Sequence, residues 1–275
     1  MARYLHKAMD TEFALTINSA DEAIAASAAQ ACFDRIDALE LLLTRFNDTS
    51  DVAVIRGLAP GKVVTVSQEM IKVLEIAVRV CAATGGAFDP TVERRNFFDL
   101  AIDVKHRRVM ARGHVELDFG GIGKGFALDE CKKILENGQF GLNNWLLDAG
   151  TSTVLASGGP WPLGVGGPFK GRTRLPTVET LASGALSGSG TEIQGAHIWD
   201  VRRGTTDTRW LQSWVVAPTG AVADALSTAA LSLSPGELRA AADALEADII
   251  VARRQPAWMD RFRDPLRRYS HRLPA

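Results

Sequence analysis

Residues 117–129 read Leu117-Asp118-Phe119-Gly120-Gly121-Ile122-Gly123-Lys124-Gly125-Phe126-Ala127-Leu128-Asp129. Residues 114–118 (HVELD) alternate in polarity into the glycines, and a helical stretch, 124–137, leaves them. The segment therefore reads as a strand turning into a helix. Glycines at such a turn let backbone approach a ligand closely. N–H groups exposed at a helix start suit a phosphate, and Lys124 adds a point charge. The pattern is neither a Walker A loop nor a GxGxxG in good register, and on its own it equally fits a tight strand–helix turn.

Upstream, residues 11–18 (TEFALTIN) alternate as a strand. Ile24, Ala28, Cys32, Ile36, Leu39 and Leu43 recur at helical spacing over 21–43, and 44–51 is a polar break. Ser67 is a good N-cap for a second helix, 68–83, which Gly85-Gly86 ends. Residues 99–118 read as a hairpin with a basic turn around 105–108. Downstream, strands are expected at 143–156, 161–167, 211–217 and 247–253, and helices at 221–233 and 235–246. Long helices alternate with hairpin-like strands, which favours α+β over a doubly wound parallel sheet.

The chain has 275 residues, enough to bury a substantial core without disulfides. A net charge of -1 gives no global electrostatic case for nucleic acid. Arg261, Arg263, Arg267, Arg268 and Arg272 form a local basic tail that reads as a solvated terminal segment. Cys32, Cys81 and Cys131 each sit in an apolar helix-like stretch without CxxC spacing, as buried free thiols do. No apolar window is long enough to span a membrane, and residues 1–13 hold neither an apolar leader core nor a lipobox cysteine. The chain as given is therefore expected to be cytoplasmic, or periplasmic where a leader has been removed.

Three further segments carry chemistry-capable residues. Asp224 and Thr228, in Asp224-Ala225-Leu226-Ser227-Thr228, share one helix face. A carboxylate with a hydroxyl suits Mg²⁺, which keeps waters and borrows phosphate oxygens; the pair also fits an exposed Asp and a Thr packed on the preceding turn. A Gly/Ser loop, Ser187-Gly188-Ser189-Gly190, precedes His197-Ile198-Trp199-Asp200. His197 there suits a general base or a structural histidine. Thr84-Gly85-Gly86-Ala87-Phe88-Asp89-Pro90 marks a turn.

In this order, the segments resemble the ApbE family, the FAD:protein FMN transferases. Met9-Asp10-Thr11 is similar to the family's Met-Gly-Thr, GGAFDPTV at 85–92 to its Gly-Ala-Phe-Asp segment, and LDFGGIGKGFALD to LDLGGIAKGYAVD. SGSG followed by HIWD resembles its Ser-Gly loop and His-Ile-x-Asp-Pro, and ADALSTA at 223–229 resembles ADALATA. The likeness is strongest over 9–233, and it implies one ApbE-like, T-fold-like catalytic domain over 1–275: mainly antiparallel sheets flanked by helices, with a flavin groove between two subdomains. It implies metal binding by Asp224, Thr228 and the Gly121 carbonyl, with Mg²⁺ or Mn²⁺ as the ion. It implies FAD contacts from Ala87, Phe88, Asp89, Asp118, Lys124 and Ile198, with Met9 nearby. Phe46 stands where the family often has a flavin-stacking Tyr, and His197 would be the base.

The activity implied is transfer of the FMN part of FAD to a Ser or Thr hydroxyl of an acceptor flavoprotein, with AMP released. A metal-dependent FAD pyrophosphatase and a non-catalytic FAD-binding protein are the alternatives. The sequence departs from the family at Asp10 (Gly in the family), at Asp148-Ala149-Gly150-Thr151 (a Gly-Gly-Asn-like segment), at Arg56, and at Val201-Arg202-Arg203-Gly204 after Asp200.

Overall fold

A computed structural model describes residues 1–91, 96–150, 152–165, 177–190, 202, 204, 205, 208–252 and 266–270. Strands β1 (Ala2–Ala8), β2 (Thr11–Ile17), β6 (Trp145–Ala149), β7 (Thr153–Ser157), β10 (Gly184–Gly190), β11 (Gln212–Ala217), β12 (Asp248–Ala252) and β13 (Leu266–Ser270) form an eight-stranded sheet in the order β1-β2-β6-β7-β10-β11-β12-β13. Every pairing in it is antiparallel. Strands β3 (Val63–Thr65), β4 (Leu100–Asp103) and β5 (Arg108–Ala111) make a second sheet, and β8 (Trp161–Val165) pairs with β9 (Thr177–Leu181). The fold is α+β, as expected.

Among the described residues six helices pack with these sheets: α1 (Glu22–Leu43), α2 (Asp51–Arg56), α3 (Gln68–Ala83), α4 (Gly123–Glu136), α5 (Gly220–Ala230) and α6 (Pro235–Leu245). Alternation along the strands sorts the sheet faces. Trp145, Leu147, Ala149, Val215 and Ala217 enter the core shared with α1, α4 and α5. Val154, Leu186, Trp214, Val216 and Ile250 form a smaller cluster with Leu163 of β8. The N-caps are local and sequence-encoded: Asp21 accepts from the Ile24 N–H, and Ser67 accepts from the Met70 N–H at 3.0 Å. Ser234 and Glu237 close a capping box on α6.

The boundaries correct several expectations. Residues 114–118 are not a strand; the return strand of the hairpin ends at Ala111. The expected strand at 143–156 is two strands, because Gly150 turns the chain at φ 67°, with only 2.2 Å between a Cβ placed there and the Thr11 hydroxyl oxygen. The Gly/Ser loop is strand β10. Gly188 and Gly190 pair there with Trp214 and Gln212, and a Cβ on either glycine would lie 3.0 Å from the partner side chain. Of the basic tail, Arg267 and Arg268 lie in β13, which pairs with β12. Arg261, Arg263 and Arg272 fall outside the described residues. The three cysteines are buried and free, as expected.

Candidate functional site

Helices α4 and α5 cross backbone against backbone. A Cβ on Gly125 would lie 2.1 Å from the Gly220 carbonyl oxygen, and one on Gly220 would lie 2.5 Å from that of Gly125. Each helix also supplies a carboxylate to the start of the other. Asp129, one turn beyond Gly125, accepts the N–H groups of Gly220 and Ala221 at 2.7 and 2.9 Å. Asp224 accepts the Gly125 N–H at 3.0 Å. These N–H groups lie in the first helical turns, where intrahelical partners are lacking. Burial pushes the Asp129 carboxyl up to about 6, against the pull of those two backbone bonds.

Asp224 is 4% exposed and sits at the centre of a set of hydroxyls. Thr153 of β7 donates to its Oδ1 at 3.1 Å. Thr153 contacts Ser187 at 2.9 Å, Ser187 contacts Ser227 at 3.1 Å, and Ser227 contacts Ser189 at 2.8 Å. Ser189 lies 3.4 Å from the Thr228 hydroxyl, which also reaches back to the Asp224 carbonyl. Gly121 faces the same point, since a Cβ there would lie 3.5 Å from Thr228 Oγ1 and 3.6 Å from the Phe88 ring. The fold thus brings together the three residues expected to bind metal. Each Asp224 oxygen carries one protein hydrogen bond and retains acceptor capacity. Among the described residues no group of three or more His, Cys, Asp or Glu side chains is placed to hold a metal. One carboxylate, a hydroxyl and a carbonyl make an all-oxygen donor set that fits a hard cation completing its shell with water and phosphate oxygens.

The turn before α4 has two sides. Gly121 faces Thr228, while Asp118, Phe119, Gly120, Gly123 and Lys124 line a groove of about 270 Å³ with Met9, Asp10, Glu40, Leu43, Thr44, Arg45 and Phe46. Four of the residues expected near FAD, Met9, Phe46, Asp118 and Lys124, therefore share one groove. Phe46 is 85% exposed at its edge, and the Arg45 guanidinium lies 5.0 Å from its ring centroid. Arg45 also pairs with Asp118 at 2.9 Å. Asp118 accepts the Gly120 N–H, and Lys124 donates to the Gly120 carbonyl. The phosphate cradle expected of the glycines is narrower than their number suggests. The N–H groups of Gly120, Ile122, Gly123 and Gly125 all bond within the protein, and Gly125 serves the helix crossing.

Ala87 and Phe88 belong to the buried core and do not line this groove. Asp89 closes a turn by accepting from Thr91, and the Asp118 N–H donates to the Pro90 carbonyl at 2.7 Å, so the two segments are neighbours. His197 and Ile198 lie outside the described residues. Sequence reasoning missed Glu40, Arg45 and Asp129, and it missed Thr153 as a partner of Asp224. For Asp129 a signal existed: it recurs at helical spacing after Gly125 on the face that meets α5.

Residues 9–96 and 92–251 match the sequence profile of the ApbE family. A FAD:protein FMN transferase of Klebsiella pneumoniae (strain 342) is 23% identical over 273 residues, covering 83% of this chain and 77% of that protein. Several solved structures share the fold. The flavin transferase ApbE from Vibrio cholerae superposes with a TM-score of 0.81 at 16% identity, covering 98% of this chain and 96% of that one. The apo flavinyl transferase ApbE of Pseudomonas stutzeri does so at 0.81 and 20% identity, covering 93% and 91%.

Proposed function

Because the chain belongs to the ApbE family, we propose that it transfers the FMN part of FAD to a Ser or Thr hydroxyl of an acceptor flavoprotein. One observation carries the reading. The 118–124 turn lines a groove with five of its residues and sets Gly121 against Thr228, next to Asp224. A ligand that is aromatic at one end and anionic in its middle fits that arrangement. At about 270 Å³ the groove is smaller than a typical drug-sized pocket, so it suits one end of a dinucleotide rather than the whole.

Phe46 offers a ring face for the flavin, while Lys124 and Arg45 bring positive charge beside Asp118. Asp224, Thr228 and the Gly121 carbonyl would hold Mg²⁺ or Mn²⁺. The ion, when bound, supplies charge neutralisation to the pyrophosphate. The acceptor oxygen forms a bond to the FMN-side phosphorus, the bond from that phosphorus to the bridging oxygen breaks, and AMP leaves with that oxygen. The hydroxyl proton passes to a base, a role assigned to His197 by its resemblance to the family's histidine.

The test is incubation with FAD, Mg²⁺ and a peptide carrying a flavinylation motif, with AMP and flavin-linked peptide both measured. Transfer predicts the two products in equal amounts, strict dependence on metal, and their loss in Asp224→Ala. AMP and free FMN without acceptor would identify a pyrophosphatase. FAD retention with no AMP under any condition would identify a binding protein.

A further inference from the structure

We propose that Glu40 is a positioning residue that sets FAD affinity by holding the Met9–Asp10 turn, an inference that rests on the reading of the groove as the FAD site. Ala8 pairs with Thr11, so Met9 and Asp10 alone make the turn between β1 and β2. Their φ values are 49° and 57°, as a type I′ turn requires. Such turns favour Asn, Asp and Gly, and a left-handed methionine is sterically disfavoured. Asp10 is of the favoured kind, but Met9 is not, so the turn residues do not by themselves select this backbone at position 9.

At Met9 the selection comes from α1. The Met9 N–H donates to Glu40 Oε1 at 2.8 Å, across 31 residues of sequence. Met9, Asp10 and Glu40 all line the groove, so the bond fixes one of its walls. The strand leaving the turn is seated against Gly150, which allows no Cβ beside Thr11. Glu40 is a poor direct partner for a phosphate, because it is itself a carboxylate. The groove's cations are engaged elsewhere: Arg45 with Asp118, and Lys124 with the Gly120 carbonyl. Its contribution is therefore the shape of the wall, delivered through an acceptor at the right reach.

Two substitutions separate reach from charge. Glu40→Asp keeps the charge and withdraws the acceptor by one methylene. Glu40→Gln keeps an acceptor oxygen at the same reach and removes the charge. FAD affinity is read by flavin fluorescence titration, and KM and kcat by AMP release with acceptor peptide. Glu40→Asp is expected to raise Kd and KM for FAD about tenfold with kcat within twofold, and Glu40→Gln to stay within threefold of wild type. Asp10→Gly added to Glu40→Asp is expected to recover at least half of the lost affinity, because glycine adopts a positive φ without steric cost. Wild-type affinity in Glu40→Asp overturns the inference, as does equal loss in both single variants or no recovery in the double variant. Failure of the wild type to bind FAD would instead sink the reading of the groove, and this inference with it.

Discussion

Asp224 caps the helix that carries Asp129, and Asp129 caps the helix that carries Asp224. The first accepts the Gly125 N–H in the opening turn of α4, and the second accepts the Gly220 and Ala221 N–H groups at the start of α5. Ile122, the N-cap residue of α4, has no capping side chain, so Asp224 stands in for one. The candidate metal carboxylate is thereby fixed before any ion arrives, and rigid positioning of this kind is what a binding site requires.

Asp129→Ala leaves the Gly220 and Ala221 N–H groups buried without acceptors. The expected loss is about 2–4 kcal/mol of stability, at about 1–3 kcal/mol for each unsatisfied donor and some relief from removing a buried charge. Urea denaturation at pH 7.5 measures it. A loss below about 0.5 kcal/mol would show that Thr219, which caps Val222, suffices for the start of α5.

Gly125→Ala puts a methyl group into the Gly220 backbone, where 2.1 Å separates the new carbon from a carbonyl oxygen. Neither side is a flexible side chain, so α4 and α5 must move apart. The expected outcome is a loss of about 3 kcal/mol or more, the upper range for overpacking. Because Asp224 bonds to that same residue, metal affinity falls with stability. Thermal melts with and without Mg²⁺ report both, and a variant with wild-type Tm would refute the crossing.

Much of this geometry was legible in the sequence, and the illegible part has a common cause. Helical periodicity located α1, α3, α4 and α6, because each has one buried face, while α5, buried nearly all round, was marked by its Ala/Leu run. Period-two alternation found β2, but not β1. In β1 the side chains alternate only between half-buried and exposed until Ala8, so the strand carries a weak apolar signal. The 220s segment yielded Asp224 and Thr228, because a carboxylate and a hydroxyl one turn apart have recognisable chemistry. Glu40 and Thr153 were invisible for the opposite reason, and Asp129 showed its helical spacing after Gly125 but not its partners. Their partners lie 31, 71 and about 91 residues away, and only the folded chain brings them together. The glycines misled in a related way, since Gly125 and Gly188 answer Gly220 and Trp214 rather than a ligand.

Thr153→Val removes the hydroxyl that donates to Asp224 Oδ1 and keeps the side-chain shape. Partners that orient a metal ligand are each worth roughly 10–100-fold in affinity. The variant is expected to need about tenfold more Mg²⁺ for half-maximal AMP release, with kcat at saturating Mg²⁺ within threefold. Stability falls by about 1 kcal/mol, the net value of one hydrogen bond. An unchanged Mg²⁺ requirement would mean that the hydroxyl chain from Thr153 to Thr228 has no part in holding the ion.

Asp148 tests the electrostatics away from the site. Its Oδ1 is buried without a hydrogen-bond partner, and burial pushes the carboxyl from its usual 3.8 up to about 6, with Arg3 pulling weakly the other way. A raised carboxyl pKa means that the folded protein binds the proton more tightly than the unfolded chain does. The contribution to stability is therefore fully present below about pH 4, lost as pH rises towards 6, and absent above it. Asp148→Asn removes the ionisation, so its advantage over wild type should be small at pH 4, grow through that window and level off above pH 6.5. The plateau is expected at about 1–3 kcal/mol, since each pKa unit corresponds to about 1.4 kcal/mol. Asp129 titrates in the same range and is common to both proteins, so the difference between the two denaturation curves isolates Asp148. A difference that stays flat from pH 4 to pH 8 would show that the Asp148 carboxylate has found a partner in solution.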